Sequence, residues 1–110
     1  MTYELAKQLK DAGFPQRGKG IVFESENEVL HYEHIAYGNQ VYIPTLSELI
    51  LACGDRFEDL TKTIRQIAPY EMEDCWTSMG LLREPHDYIT VEGKTPEEAV
   101  AKLWLQLNAR

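Results

Sequence analysis

Apolar residues along the chain fall into three helical stripes separated by alternating, β-prone runs. Leu5, Leu9 and Ala12 share one face of a helix expected over residues 3–12, with Thr2 as its N-cap and Gly13 as a left-handed stop. Leu46, Leu49, Ile50 and Cys53 form a second stripe, opened by a capping box in which Thr45 reaches toward Glu48 and ended by Gly54. Val100, Leu103, Trp104 and Leu107 form a third, over residues 96–108. There Thr95 is the N-cap, Pro96 takes the first helical position and Glu98 closes the box. That stripe places Trp104 in the core.

Between the first two helices, Phe14-Pro15 turns the chain and residues 16–19 read as a loop. Ile21-Val22-Phe23 is a short strand, Ser25-Glu26-Asn27 a turn, and residues 29–37 a longer strand. Gly38-Asn39 is then a two-residue hairpin signal before Val41-Tyr42-Ile43 returns. The expectation is a three-strand meander. If the turn closes on Gly38-Asn39, Ala36 faces Val41 and His34 faces Ile43. Leu30, Tyr32, His34, Ala36, Val41 and Ile43 then share the side expected to be core.

The middle of the chain fits two templates. Phe57, Leu60, Ile64 and Ile67 have a helical period, with Asp55 and Glu58 offering another capping box. Thr61, Thr63 and Ile64 are β-branched, and Leu60, Lys62, Ile64 and Gln66 alternate as in a strand. Residues 72–79 and 88–91 are strands, joined by a loop over residues 80–87. The whole reads as an α+β fold: a single domain over residues 1–110, with an antiparallel sheet packed against three amphipathic helices.

Composition narrows the functional classes. A chain of 110 residues with 44% apolar and 26% charged residues is expected to fold as one globular unit. No apolar run approaches the ~18 residues of a membrane span, and the N-terminus reads as an amphipathic helix without a signal-peptide core. The expectation is therefore a cytoplasmic protein without membrane association. Cys53 and Cys75 stand in apolar company and read as buried, reduced thiols.

The net charge of −7 is uneven: residues 20–60 hold eight acids and one base, Arg56. A basic footprint is confined to a short stretch between Lys7 and Lys19, which argues against nucleic acid as a partner. The acids gather at the first turn, where Glu24, Glu26, Glu28 and Glu33 lie close in sequence. Such a surface attracts a protein partner with a basic surface.

Catalytic and metal chemistry find little support. His31 and His34 stand three apart, which on a strand points them to opposite faces, and no Cys-x-x-Cys pair accompanies them. The clustered glutamates lack a nearby basic or nucleophilic partner. His86-Asp87, Ser78 and Cys75 sit outside any nucleophile elbow or phosphate-binding loop. No metal or cofactor is expected. Tyr32, Tyr37 and Tyr42 instead give the meander the aromatic content of binding patches. The candidate partner-binding residues are thus Glu24, Glu26, Glu28, Tyr37 and Tyr42.

Three segments carry a resemblance: residues 5–16 (LAKQLKDAGFPQ), 42–50 (YIPTLSELI) with 52–55 (ACGD), and 95–105 (TPEEAVAKLWL). Together they are similar to small uncharacterised proteins encoded by tailed phages and prophages. The resemblance touches both ends and the centre of the chain and implies a hairpin after Gly54-Asp55-Arg56-Phe57, favouring strand over residues 57–64. It implies no activity and no site residues. Residues 76–79 and 93–99 also resemble, more weakly, HicB-type antitoxins. The expected function is that of a non-enzymatic phage or prophage accessory protein acting on a host protein. The alternatives are an antitoxin-like partner of a toxin and a small enzyme of unrecognised type.

Overall fold

A computed structural model describes residues 1–109. Three helices and two antiparallel three-stranded sheets make up a mixed α+β fold. The helices are α1 (Tyr3–Asp11), α2 (Leu46–Cys53) and α3 (Pro96–Leu107). The strands are β1 (Ile21–Ser25), β2 (Glu28–Leu30), β3 (Val41–Ile43), β4 (Phe57–Ala68), β5 (Glu71–Arg83) and β6 (Asp87–Gly93).

Local capping explains the helix starts. The Thr2 hydroxyl accepts from the Leu5 N–H, and Thr45 with Glu48 forms a complete capping box. At α3 the box stays half made. Thr95 accepts from the Glu98 N–H, but the Glu98 carboxylate turns outward to accept from the Lys94 N–H at 3.0 Å.

The strands divide into two sheets, ordered β2-β1-β3 and β4-β5-β6, where the sequence suggests one. In the first, β1 lies between β2 and β3, so the chain must cross from one side of β1 to the other. That crossing is why the long strand expected over residues 29–37 stops at Leu30. Gly38-Asn39 joins no adjacent strands, and the register setting Ala36 against Val41 and His34 against Ile43 does not form. The crossing segment is tied to the Gln16–Gly18 loop instead, by Gly18 N–H to His34 O at 3.1 Å and Ala36 N–H to Gln16 O at 2.9 Å. Tyr32 is exposed, while Val41 is buried as expected.

The second sheet settles the ambiguous middle as strand: β4 pairs with β5 from Phe57↔Gly80 to Ala68↔Glu71. It runs past residue 64, and β5 continues through Gly80 to Arg83, where a loop is expected.

Helix α3 packs on the second sheet and joins it to α1 and α2. Val100, Leu103, Trp104 and Leu107 are buried with Leu5, Leu9, Phe14, Leu49 and Cys53, and Trp104 meets Phe14 edge to face at 5.1 Å. Two features let α3 lie close on β5 and β6. The Ser78 hydroxyl, fully buried, donates to Ala99 O at 2.7 Å, and a Cβ at Gly93 would stand 2.5 Å from Ala99 N. Helix α1 serves both cores: Leu5 and Leu9 face α3's cluster, while Ala6 packs with Phe23 and Val41 of the first sheet.

Candidate functional site

The β1–β2 turn carries Glu24, Glu26 and Glu28 on the surface, since all three are exposed. A second turn, over residues 37–40, is closed by Gln40 N–H to Tyr37 O at 3.0 Å, with Gly38 in the left-handed region at φ 59°. Gln40 joins the two turns. Its side-chain oxygen accepts from the Tyr37 N–H at 3.0 Å, and its amide nitrogen donates to Glu24 Oε2 at 2.6 Å. Lys10, in the last turn of α1, fixes the same turn by donating to Gly38 O at 2.6 Å and Gln40 O at 2.8 Å. Tyr37 is 67% exposed. The fold therefore brings Glu24 and Tyr37, thirteen positions apart, onto one braced surface.

Tyr42 has a different place. It is fully buried, so its ring cannot form part of a partner-binding surface. Its hydroxyl accepts from the Gly20 N–H at 2.6 Å and donates to Glu48 Oε1 at 2.7 Å, while its own N–H donates to Gln16 Oε1 at 2.9 Å. Glu48 also accepts from the Lys19 N–H at 3.0 Å and the Thr45 N–H at 2.9 Å. This network locks the loop before β1 onto the start of α2.

Burial, and then the Glu48 carboxylate, push the Tyr42 phenol up to about 12. For Glu48, burial acts to raise its pKa, but the hydrogen bonds from Thr45, Tyr42 and Lys19 outweigh it and hold the carboxylate below its ordinary value. A side chain at Gly20 would crowd the Ile43 carbonyl and the Tyr42 hydroxyl, so the network needs glycine there, and the capping box of Thr45 and Glu48 was its only part legible in the sequence.

The groups considered for catalysis do not converge. Ser78 is spent on Ala99 O, and the His34 ring bonds Gly20 O through Nδ1 at 2.7 Å. Burial raises the Cys53 thiol to about 11 against the opposing pull of Arg56, which leaves it protonated at neutral pH. Cys75 is buried. Among the described residues no three His, Cys, Asp or Glu side chains gather in a metal-binding group. A groove of about 130 Å³ beside Cys75, lined by Arg65, Asp74, Glu92, Gly93, Lys94 and Lys102, is well below the ~300 Å³ of small-molecule sites. No helix among the described residues is long and apolar enough to cross a membrane.

Sequence reasoning missed one surface. Beyond Trp76, where β6 ends opposite at Gly93, β4 and β5 continue as a two-stranded arm. Ile64, Ile67, Tyr70 and Met72 are all exposed on it. The signal was present in the alternation of Leu60, Lys62, Ile64 and Gln66. Compared with family models, curated proteins and solved structures, the chain matches none.

Proposed function

We propose that this chain is a non-enzymatic accessory protein that works by binding another protein. The observation that carries the reading is the braced surface in which Gln40 joins Glu24 to the turn of the exposed Tyr37. Aromatic rings with wet hydroxyls, held on preordered turns, supply contact area at small entropic cost. The carboxylate of Glu24 at that turn, with Glu26 and Glu28 along the neighbouring β1–β2 turn, selects a partner with a basic surface and speeds its approach. The resemblance of three segments to phage-encoded proteins supports a host protein as that partner and the host cytoplasm as the meeting place.

Affinity capture from a bacterial host lysate, with the intact chain as bait, tests this reading. The captured protein is expected to be released as salt rises above physiological strength, where the Debye length falls below about 8 Å. Replacing Glu24, Glu26 and Glu28 together by Lys should slow association while leaving the overall fold intact, because all three are exposed and only the Gln40–Glu24 bond between the turns is lost, a change that Glu26→Lys with Glu28→Lys alone avoids. A partner whose affinity ignores both salt and the triple reversal would refute the acidic surface. Tight binding of a nucleic-acid duplex would refute the reading altogether.

A second reading has a narrower basis. Strands β5 and β6 followed by α3 across Gly93 match the strand, strand, helix order of the HicB-type likeness. A toxin gene beside the coding sequence would favour the antitoxin-like alternative.

A further inference from the structure

The outer edge of β4 has no strand beside it among the described residues, because the sheet ends there. Between its two irregularities, at Phe57/Asp59 and Gln66/Ala68, the strand runs evenly and contains neither Pro nor Gly. Edge strands are ordinarily guarded by a proline, a bulge or a charge that repels a second strand. Here both positive charges in the run are engaged within the sheet. Lys62 pairs with Asp74 at 3.2 Å, and Arg65 pairs with Glu73 at 3.0 Å and Glu92 at 3.2 Å. Ile64 stands between them, 65% exposed.

We infer that this edge pairs with the same edge of a second copy of the chain, merging two three-stranded sheets into one antiparallel sheet about a two-fold axis at Ile64. Such an axis must set one residue opposite its own copy, which leaves few registers. Centring on Lys62 or Arg65 puts like charges face to face, which is destabilising. Centring on Thr61 carries Ile64 to the irregular Phe57/Asp59 step of the second copy, and centring on Thr63 sets it against Lys62. The Ile64 register sets Ile64 against itself, Lys62 against Gln66 and Arg65 against Thr63.

Charge favours the same edge. From Asp59 to Ala68 the strand holds two bases and one acid, in a chain of net charge −7. Two copies therefore meet where their mutual repulsion is small. A pairing confined to this strand buries less than the ~800 Å² per partner of stable interfaces, so the dimer is concentration-dependent.

Sedimentation of the intact chain from about 10 μM to about 1 mM tests the inference, a range suited to a small interface. The mean mass should climb from that of one chain toward that of two. Ile64→Lys and Ile64→Glu should each weaken association at least about tenfold, and an equal mixture of the two should restore it. Ile64→Cys, a milder change, should give a disulfide-linked dimer on gentle oxidation, because directly opposed strand residues lie within disulfide reach. Cys53 and Cys75 are buried and should stay silent in the parent chain. Unchanged circular dichroism and denaturation midpoints would confirm that the variants fold. A parent chain that stays monomeric at 1 mM, a dimer indifferent to Ile64→Lys, or a charge-swapped mixture that fails to associate would each overturn self-pairing. Loss of a different bound protein in Ile64→Lys, with the mass of the chain alone unaltered, would also overturn it. None of these results depends on Glu24, Glu26 or Glu28.

Discussion

The first sheet is built from strands of three to five residues and is clamped by side chains from neighbouring loops and helices, whereas the second has strands of up to 13 residues and leaves one end bare. In the first, Tyr42, Glu48, Gln16, Gln40 and Lys10 all bond across elements. In the second, α3 covers one end, while in the arm backbone pairing between β4 and β5 continues with residues 61–67 all exposed. Regular secondary structure and burial are thus separate matters. A long hairpin satisfies its backbone groups wherever it points, while short strands persist only where side chains and packing hold them.

The largest expected effect falls on the core that packs the helices on the second sheet. Trp104→Ala should cost about 3–5 kcal/mol, as truncation of large core aromatics does, because Trp104 fills the cluster joining α1, α2 and α3. Denaturant unfolding measures it. An unchanged midpoint would mean that the helices and the second sheet are held together without Trp104.

Next comes the clamp of the first sheet. Tyr42→Phe removes a hydroxyl that serves both Gly20 and Glu48, leaving each without that partner, and should cost about 1–3 kcal/mol. The same residue sets an alkaline limit. Its phenol is raised in the folded chain from 10.0 to about 12, so its contribution is complete below pH 10 and is lost as pH rises toward about 12. Urea titrations at pH 9 and pH 11.5 should show this loss in the parent chain and not in Tyr42→Phe.

Glu48 sets the opposite limit. Its carboxylate lies below 4.5 in the folded chain, so its contribution is present above that value and disappears as pH falls through the folded pKa. Glu48→Gln should therefore be less stable than the parent at pH 7, and the gap should narrow in acid. Equal gaps at pH 7 and pH 3 would show that the carboxylate's charge plays no part in the clamp.

The smallest effect belongs to the arm. Tyr70, in the turn between β4 and β5, has a positive φ of 69° and a fully exposed side chain. Tyr70→Asn places a residue that tolerates this conformation there and should raise stability by less than about 1 kcal/mol. A marked loss instead would reveal that the tyrosine ring packs on something.

Legibility in the sequence followed the range of the interactions. The three helices were readable because Thr2, Thr45, Thr95 and Gly13 act within a few residues of themselves. The exposed glutamates of the β1–β2 turn were readable for the same reason. The alternation after Leu60 held the arm, but the helical period of Phe57, Leu60, Ile64 and Ile67 competed with it until β5 supplied a partner. Tyr42 was misplaced because a tyrosine on a strand suits either face.

By itself, then, the sequence determined the helix starts, the apolar faces, the mixed α+β character and the uneven charge, all set by residues near one another in the chain. The tertiary structure alone decided that β1 separates β2 from β3, that Gly38-Asn39 is no hairpin and that Tyr42 lies beneath Gly20. It also decided that Glu24 shares a surface with Tyr37 and that β4 is the end strand of its sheet among the described residues. Each of these depends on which distant backbone groups find one another, and local propensity does not encode strand pairing across a chain.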